Sequence, residues 1–134
     1  MQYRRGFSLI ELMIAVAIIG IIVAVAMPSY QQHVLSTQRV MATACLTELA
    51  QQMERSYLTN MAYAQALPAT SCQTELQGVY TIVLAAQTAN TFQLQATPQG
   101  NQVNDKQCGV LTLDQSGQKT ANAKTDAALL RLCW

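Results

Sequence analysis

Three groups of residues in this chain have the chemistry to act. Four cysteines, Cys45, Cys72, Cys108 and Cys133, can pair or bind metal. One carboxylate, Glu11, lies inside an apolar run, and the only histidine, His33, follows that run. Lys106, Lys119, Lys124 and Arg131 gather late in the chain, with Asp105, Asp114 and Asp126 among them. A single histidine supports no nucleophile–base–acid set, so no catalytic residue is nominated and the chain is not read as an enzyme. Zinc is disfavoured because no C-x-x-C spacing is present. Asp105 and Asp114 lack the twelve-residue calcium pattern with its Gly and closing Glu. No metal and no cofactor is expected. The late cations can meet phosphates, but with three Asp among them they read as a solvated mixed surface.

The elements that must position these residues divide the chain in two. Of 134 residues, 51% are hydrophobic and 11% charged, against a usual charged share of about 25%. From residue 7 to 27, 18 of 21 residues are apolar. As a helix this run is about 31 Å long, close to the ~30 Å of a bilayer core. Arg4 and Arg5 precede it and should hold that end cytoplasmic. From Pro28 onward come sixteen Gln, six Lys/Arg and six Asp/Glu, a balance with no steering field for nucleic acid. Glu11 separates this run from an ordinary secretory signal or a plain anchor. A carboxylate at that depth costs roughly 2.5–3.5 kcal/mol and by default marks a function with a partner to be named.

Helical spacing continues beyond the run through Val34, Met41, Cys45, Leu49 and Met53, with Leu35, Ala42, Leu46 and Ala50 beside them. Arg39, Glu48, Glu54 and Arg55 fall mostly on other faces. One helix to about Leu58 would be about 78 Å long, so its first half must protrude from any head this chain can build. Residues 60–78 read as a loop. Residues 79–86, 92–96 and 110–113 read as strands, with 118–121 a possible fourth after the turn Asp114-Gln115-Ser116-Gly117. Short connections favour an antiparallel meander. The fold class is α+β: a long N-terminal helix packed on a sheet of about 3–4 strands. Phe92, Leu94, Leu111, Leu113, Val83 and Tyr80 are the core candidates.

The sequence Arg4-Arg5-Gly6-Phe7-Ser8-Leu9-Ile10-Glu11-Leu12 resembles the processing site of type IV prepilins. The resemblance implies the pilin fold and a leader, residues 1–6, cut by a prepilin peptidase after Gly6, followed by N-methylation of Phe7. It implies residues 7–28 as membrane span and later filament core, and residues 29–134 as a periplasmic head. Glu11 then pairs with the Phe7 amine of a neighbouring subunit during assembly, which supplies its missing partner. Gly20 and Pro28 also match the family, where the stretch between them is often unwound in filaments; a simple kink at Pro28 stays open as the alternative. The implied location is the bacterial inner membrane, with the N-terminus cytoplasmic, and then the pilus. The implied partners are other pilins, the peptidase, the inner-membrane assembly machinery and the lipid bilayer. Nucleic acid is not expected.

Export places the cysteines in an oxidising compartment, so disulfides are expected. Three pairings are possible. The favoured one joins Cys45 to Cys72, tying helix to loop, and Cys108 to Cys133, closing the C-terminal segment. Each closes a loop of roughly 26–28 residues, worth on the order of 3–3.5 kcal/mol by loop entropy.

The tail resembles the PilE-type minor pilins of type IVa pili. The resemblance rests on Ala96-Thr97-Pro98-Gln99-Gly100, on the run from Asp105 to Gly117, and on the terminal Cys133-Trp134. Such subunits act in pili that support twitching motility, adhesion or DNA uptake. Three alternatives remain: a major pilin, a type II secretion pseudopilin, or a DNA-binding minor pilin contacting DNA through Lys119, Lys124 and Arg131. The leader assignment is checked by Gly6→Ala, which should leave residues 1–6 attached. A mature chain starting at Phe7 in that variant, by mass spectrometry, contradicts it.

Overall fold

One helix, α1 (Leu9–Asn60), accounts for over a third of the chain and opens the fold. The computed structural model describes residues 6–64 and 66–134. Arg4 and Arg5, read above as the cytoplasmic flank, lie outside the described residues. The described chain divides at Val34 and Leu35 into two compact units.

In the first unit the large apolar side chains from Phe7 to Met27 are exposed. An 18-residue window here has a mean hydropathy of 2.9, so by length and composition this helix can cross a membrane. The helix opens with Ser8 O accepting from the backbone N–H groups of Glu11 (3.1 Å) and Leu12 (3.3 Å). It continues through Gly20 and Pro28. Proline has no N–H to donate, so the Ala24 carbonyl loses its intrahelical partner there.

The second unit, residues 35–134, is the head. After α1 come a short helix α2 (Ser71–Glu75), then strands β1 (Tyr80–Gln87) and β2 (Phe92–Pro98). A 3-10 turn (Gly100–Asn104), β3 (Leu111–Asp114), β4 (Lys119–Ala121) and α3 (Ala127–Cys133) complete it. The strands form one antiparallel sheet in the order β1-β2-β3-β4, with a bulge between Leu84 and Ala86. The α1 stripe Ala42, Cys45, Leu46, Leu49 and Met53 shares one core with Tyr80, Phe92, Leu94, Ala96, Leu111, Leu113 and Ala121. Tyr63 closes the far end. Its ring meets Phe92 edge-on at 4.8 Å, and its hydroxyl donates to Glu54 Oε1 at 2.9 Å. Burial, then this bond to a carboxylate, pushes the Tyr63 phenol up to about 12.

Three expectations need correction. Val83 is 41% exposed, not core. Strand side chains alternate, so Val83 cannot face inward with Tyr80, three residues away. Arg39 is buried rather than solvated, because it has an anion to meet inside the head. Residues 60–78 are not all loop, since α2 lies among them, and α3 occupies a tail to which no element had been assigned. Helices of five and seven residues are too short to show a period. The start of α3 was nonetheless marked: Asp126 accepts from Leu129 N at 3.0 Å, an N-cap.

The β3–β4 turn depends on Asp114. Its Oδ1 accepts from Ser116 Oγ (2.6 Å), Ser116 N (2.9 Å) and Gln118 N (2.9 Å), while Gly117 takes a φ of +78°. Burial alone raises the Asp114 carboxyl, but these three donors outweigh it and hold it below the usual carboxylate range. A depressed folded pKa stabilises above the unfolded pKa, and the gain is lost as pH falls through the folded one. Asp114→Ala should therefore lower the chemical-denaturation midpoint clearly at neutral pH and much less at about pH 2. An equal loss at both pH values would contradict the role of the charge.

Candidate assembly and surface sites

The N-terminal site is Gly6, Phe7 and Glu11. Phe7 is 77% exposed, and Glu11 lies in the first turn of α1. A carboxylate there meets the positive end of the helix dipole. Among the described residues, the Glu11 carboxylate has no hydrogen bond or ion pair. His33 lies on α1 in the same unit and is exposed.

In the head, the functional cysteines form two bridges, Cys45–Cys72 and Cys108–Cys133, with Cα separations of 5.6 and 5.5 Å. The first ties α1 to α2. The second ties the segment after the 3-10 turn to α3.

A polar cluster that sequence reasoning missed joins α1 to this C-terminal region. Arg39 Nη1 donates to Asp105 Oδ2 at 2.7 Å and to Cys108 Sγ at 3.0 Å. Gln102 is 1% exposed. Its Nε2 faces Leu35 O (3.0 Å), Tyr80 Oη (3.1 Å) and Asp105 Oδ2 (3.3 Å). Burial pushes the Tyr80 phenol up, partly offset by the Gln102 bond. The signal available in sequence was Arg39 itself, a cation one turn from Leu35 and Ala42 on the apolar stripe. Its partner sits 66 positions away, which no local pattern reveals.

Trp134 Nε1 donates to Thr120 O at 3.0 Å, and the Lys119 ammonium sits 4.9 Å from the Trp134 ring centroid. Lys124 pairs back on β4 through the Ala121–Lys124 bridge, and Arg131 lies in the last turn of α3. These three cations thus share the 119–134 segment, whose β4 and α3 pack together. Lys106 is exposed just after the 3-10 turn. Among the described residues no group of three or more His, Cys, Asp or Glu is placed to hold a metal.

Removing one partner of a buried ion pair strands the other charge. Asp105→Ala should cost about 3–5 kcal/mol, read by denaturation of the full chain in detergent. The double variant Arg39→Met with Asp105→Leu should recover most of that loss, since apolar groups of similar volume can replace such a pair. A double variant as unstable as the single one contradicts this.

The comparisons agree with this geometry. The family described as "Type IV minor pilin ComP, DNA uptake sequence receptor" matches residues 28–112, and the prokaryotic N-terminal methylation motif matches residues 1–27. A fimbrial protein of Pseudomonas aeruginosa is 45% identical over 58 residues, covering 43% of this chain and 38% of that one. Fimbrial protein EcpC of Eikenella corrodens is 57% identical over 37 residues, covering 28% and 24%. The chain thus spans less than two fifths of the length of these relatives. In fold it resembles a type IV pilin from Shewanella oneidensis, with a TM-score of 0.55 at 23% identity over 69% of this chain and 98% of that one. It also resembles the Neisseria meningitidis non-core minor pilin PilV, with a TM-score of 0.52 at 22% identity over 71% and 93%. An N-terminal methylation motif, a long helix under an antiparallel meander and the ComP match together place this chain in the type IV pilin family, as a minor pilin.

Proposed function

We propose that this minor pilin is made as an inner-membrane prepilin with its N-terminus cytoplasmic and its head periplasmic. Prepilin peptidase cuts after Gly6 and methylates Phe7. The inner-membrane machinery then moves the subunit into a pilus or its initiation complex. Residues 7–28 serve first as the membrane span and then as filament core. Gly20 and Pro28 give that segment room to bend or unwind. The observation that carries this reading is one carboxylate, Glu11, in the otherwise apolar, exposed run from residue 7 to 27. Such a group is costly in a bilayer and is relieved by a cation. The new Phe7 amine of an adjacent subunit supplies one at the right end of the helix. Membership of the pilin family supports pilin neighbours as partners. Glu11→Ala should still be processed but should assemble poorly. Normal incorporation of that variant into sheared pili would show that the carboxylate has no assembly role.

A second reading is favoured by the description of the matching family as a DNA uptake sequence receptor. On this reading Lys119, Lys124 and Arg131, which lie beyond the matched residues 28–112, contact DNA, contrary to the expectation drawn from the neutral composition. Three cations on one segment, beside an aromatic ring at Trp134, suit phosphate and base contact. The test is a salt titration of DNA binding by the full chain in detergent. Neutralising all three should weaken binding and reduce the log–log salt slope by about three. An unchanged slope removes these residues from any DNA interface.

A further inference from the structure

The two disulfides differ sharply in access. Cys108 is 0% and Cys133 2% exposed, and Arg39 caps the Cys108 sulfur from inside the core. Cys45 is equally hidden at 1%, but its partner Cys72 is only half-buried. Over this bridge lies an open hollow of about 190 Å³ between α1 and α2, lined by Met41, Ala44, Glu48, Glu75 and Leu76 with both cysteines. Thr70 Oγ1 lies 3.0 Å from Cys72 Sγ. A disulfide sulfur carries no proton, so there the hydroxyl is the donor.

We propose that Cys45–Cys72 is a thiol–disulfide exchange site, attacked at Cys72 Sγ, while Cys108–Cys133 is inert in the folded head. Exchange requires a thiolate to reach a disulfide sulfur. Only Cys72 offers one without opening the core. An incoming thiolate forms a bond to Cys72 Sγ and breaks the bond to Cys45 Sγ, which leaves as a thiolate and takes a proton. If the incoming group is a dithiol, its second thiolate attacks its own sulfur in the mixed disulfide. Cys72 is then released as a thiolate, placed to accept the Thr70 hydroxyl proton as a hydrogen bond. The external dithiol is oxidised and Cys45 and Cys72 are reduced. The exchange unties α2 from α1 and leaves the second bridge in place. Glu48 and Glu75 line the entry, so an anionic thiol is repelled and a neutral or cationic one is preferred. The natural partner is therefore a thiol or dithiol with neutral or basic surroundings.

The test uses the full chain in detergent, without denaturant. During reduction by dithiothreitol, alkylation followed by peptide mass spectrometry should label Cys45 and Cys72 at least about tenfold sooner than Cys108 and Cys133, because buried groups wait for structural opening. One common rate, or the reverse order, overturns the proposal. With monothiols, the adduct should sit on Cys72 and leave Cys45 free; an adduct on Cys45 overturns the point of attack. Corrected for thiolate fraction, cysteamine should react faster than glutathione at low salt, and the gap should narrow as salt rises. Equal rates at low salt overturn the role given to Glu48 and Glu75.

Discussion

The head depends on one burial: a single stripe of α1, from Leu35 to Met53, lies under the inner face of a four-stranded sheet. The stripe consists of Leu35, Ala42, Cys45, Leu46, Leu49 and Met53, with Thr43 and Arg39 buried beside it. Among the described residues no other element contributes so many buried apolar side chains. The sheet contributes only alternate residues from short strands, and α2 and α3 contribute little more than their disulfide partners. A head this small has a modest apolar core for its size. It therefore relies on covalent and ionic ties that reach back to the same helix. Cys45–Cys72 fastens the segment before the sheet to α1, and Arg39–Asp105 fastens the connection between β2 and β3.

Those ties explain why the C-terminal third of the chain is ordered as it is. It has a three-residue strand, a seven-residue helix and a 3-10 turn. None is long enough to be stable alone. Asp105 and Gln102 anchor the turn to α1, Cys108–Cys133 closes the segment on α3, and Trp134 hydrogen-bonds to β4. Lys119, Lys124 and Arg131 are exposed on the segment so tied.

Much of this was legible before the structure because the signals were local. The apolar run from residue 7 to 27, the apolar spacing from Cys45 to Met53, and the alternation Phe92-Gln93-Leu94-Gln95-Ala96 each specify an element within a few turns. The failures were non-local or too short to repeat. Arg39 is polar by type but buried by partnership, and its partner is remote in sequence. Val83 belongs to a strand whose phase is set only by its pairing with Gln95 on β2. Gln102 looks like one of sixteen interchangeable glutamines beyond Pro28, yet it bridges α1, β1 and the 3-10 turn. Composition balances cations against acids and does not record that Lys119, Lys124 and Arg131 fall on one folded segment.

The same helix is asked to do two things. Its head half has found its covering within the chain, and its N-terminal half has not. An exposed apolar run of this length requires lipid or other copies of such a helix around it. The most direct measurement is the intact mass of this chain recovered from sheared surface pili. The account predicts a chain beginning at Phe7 with a methylated amine and both disulfides intact. A chain in those pili that still carries residues 1–6, or one that begins at Phe7 with an unmethylated amine, would contradict it.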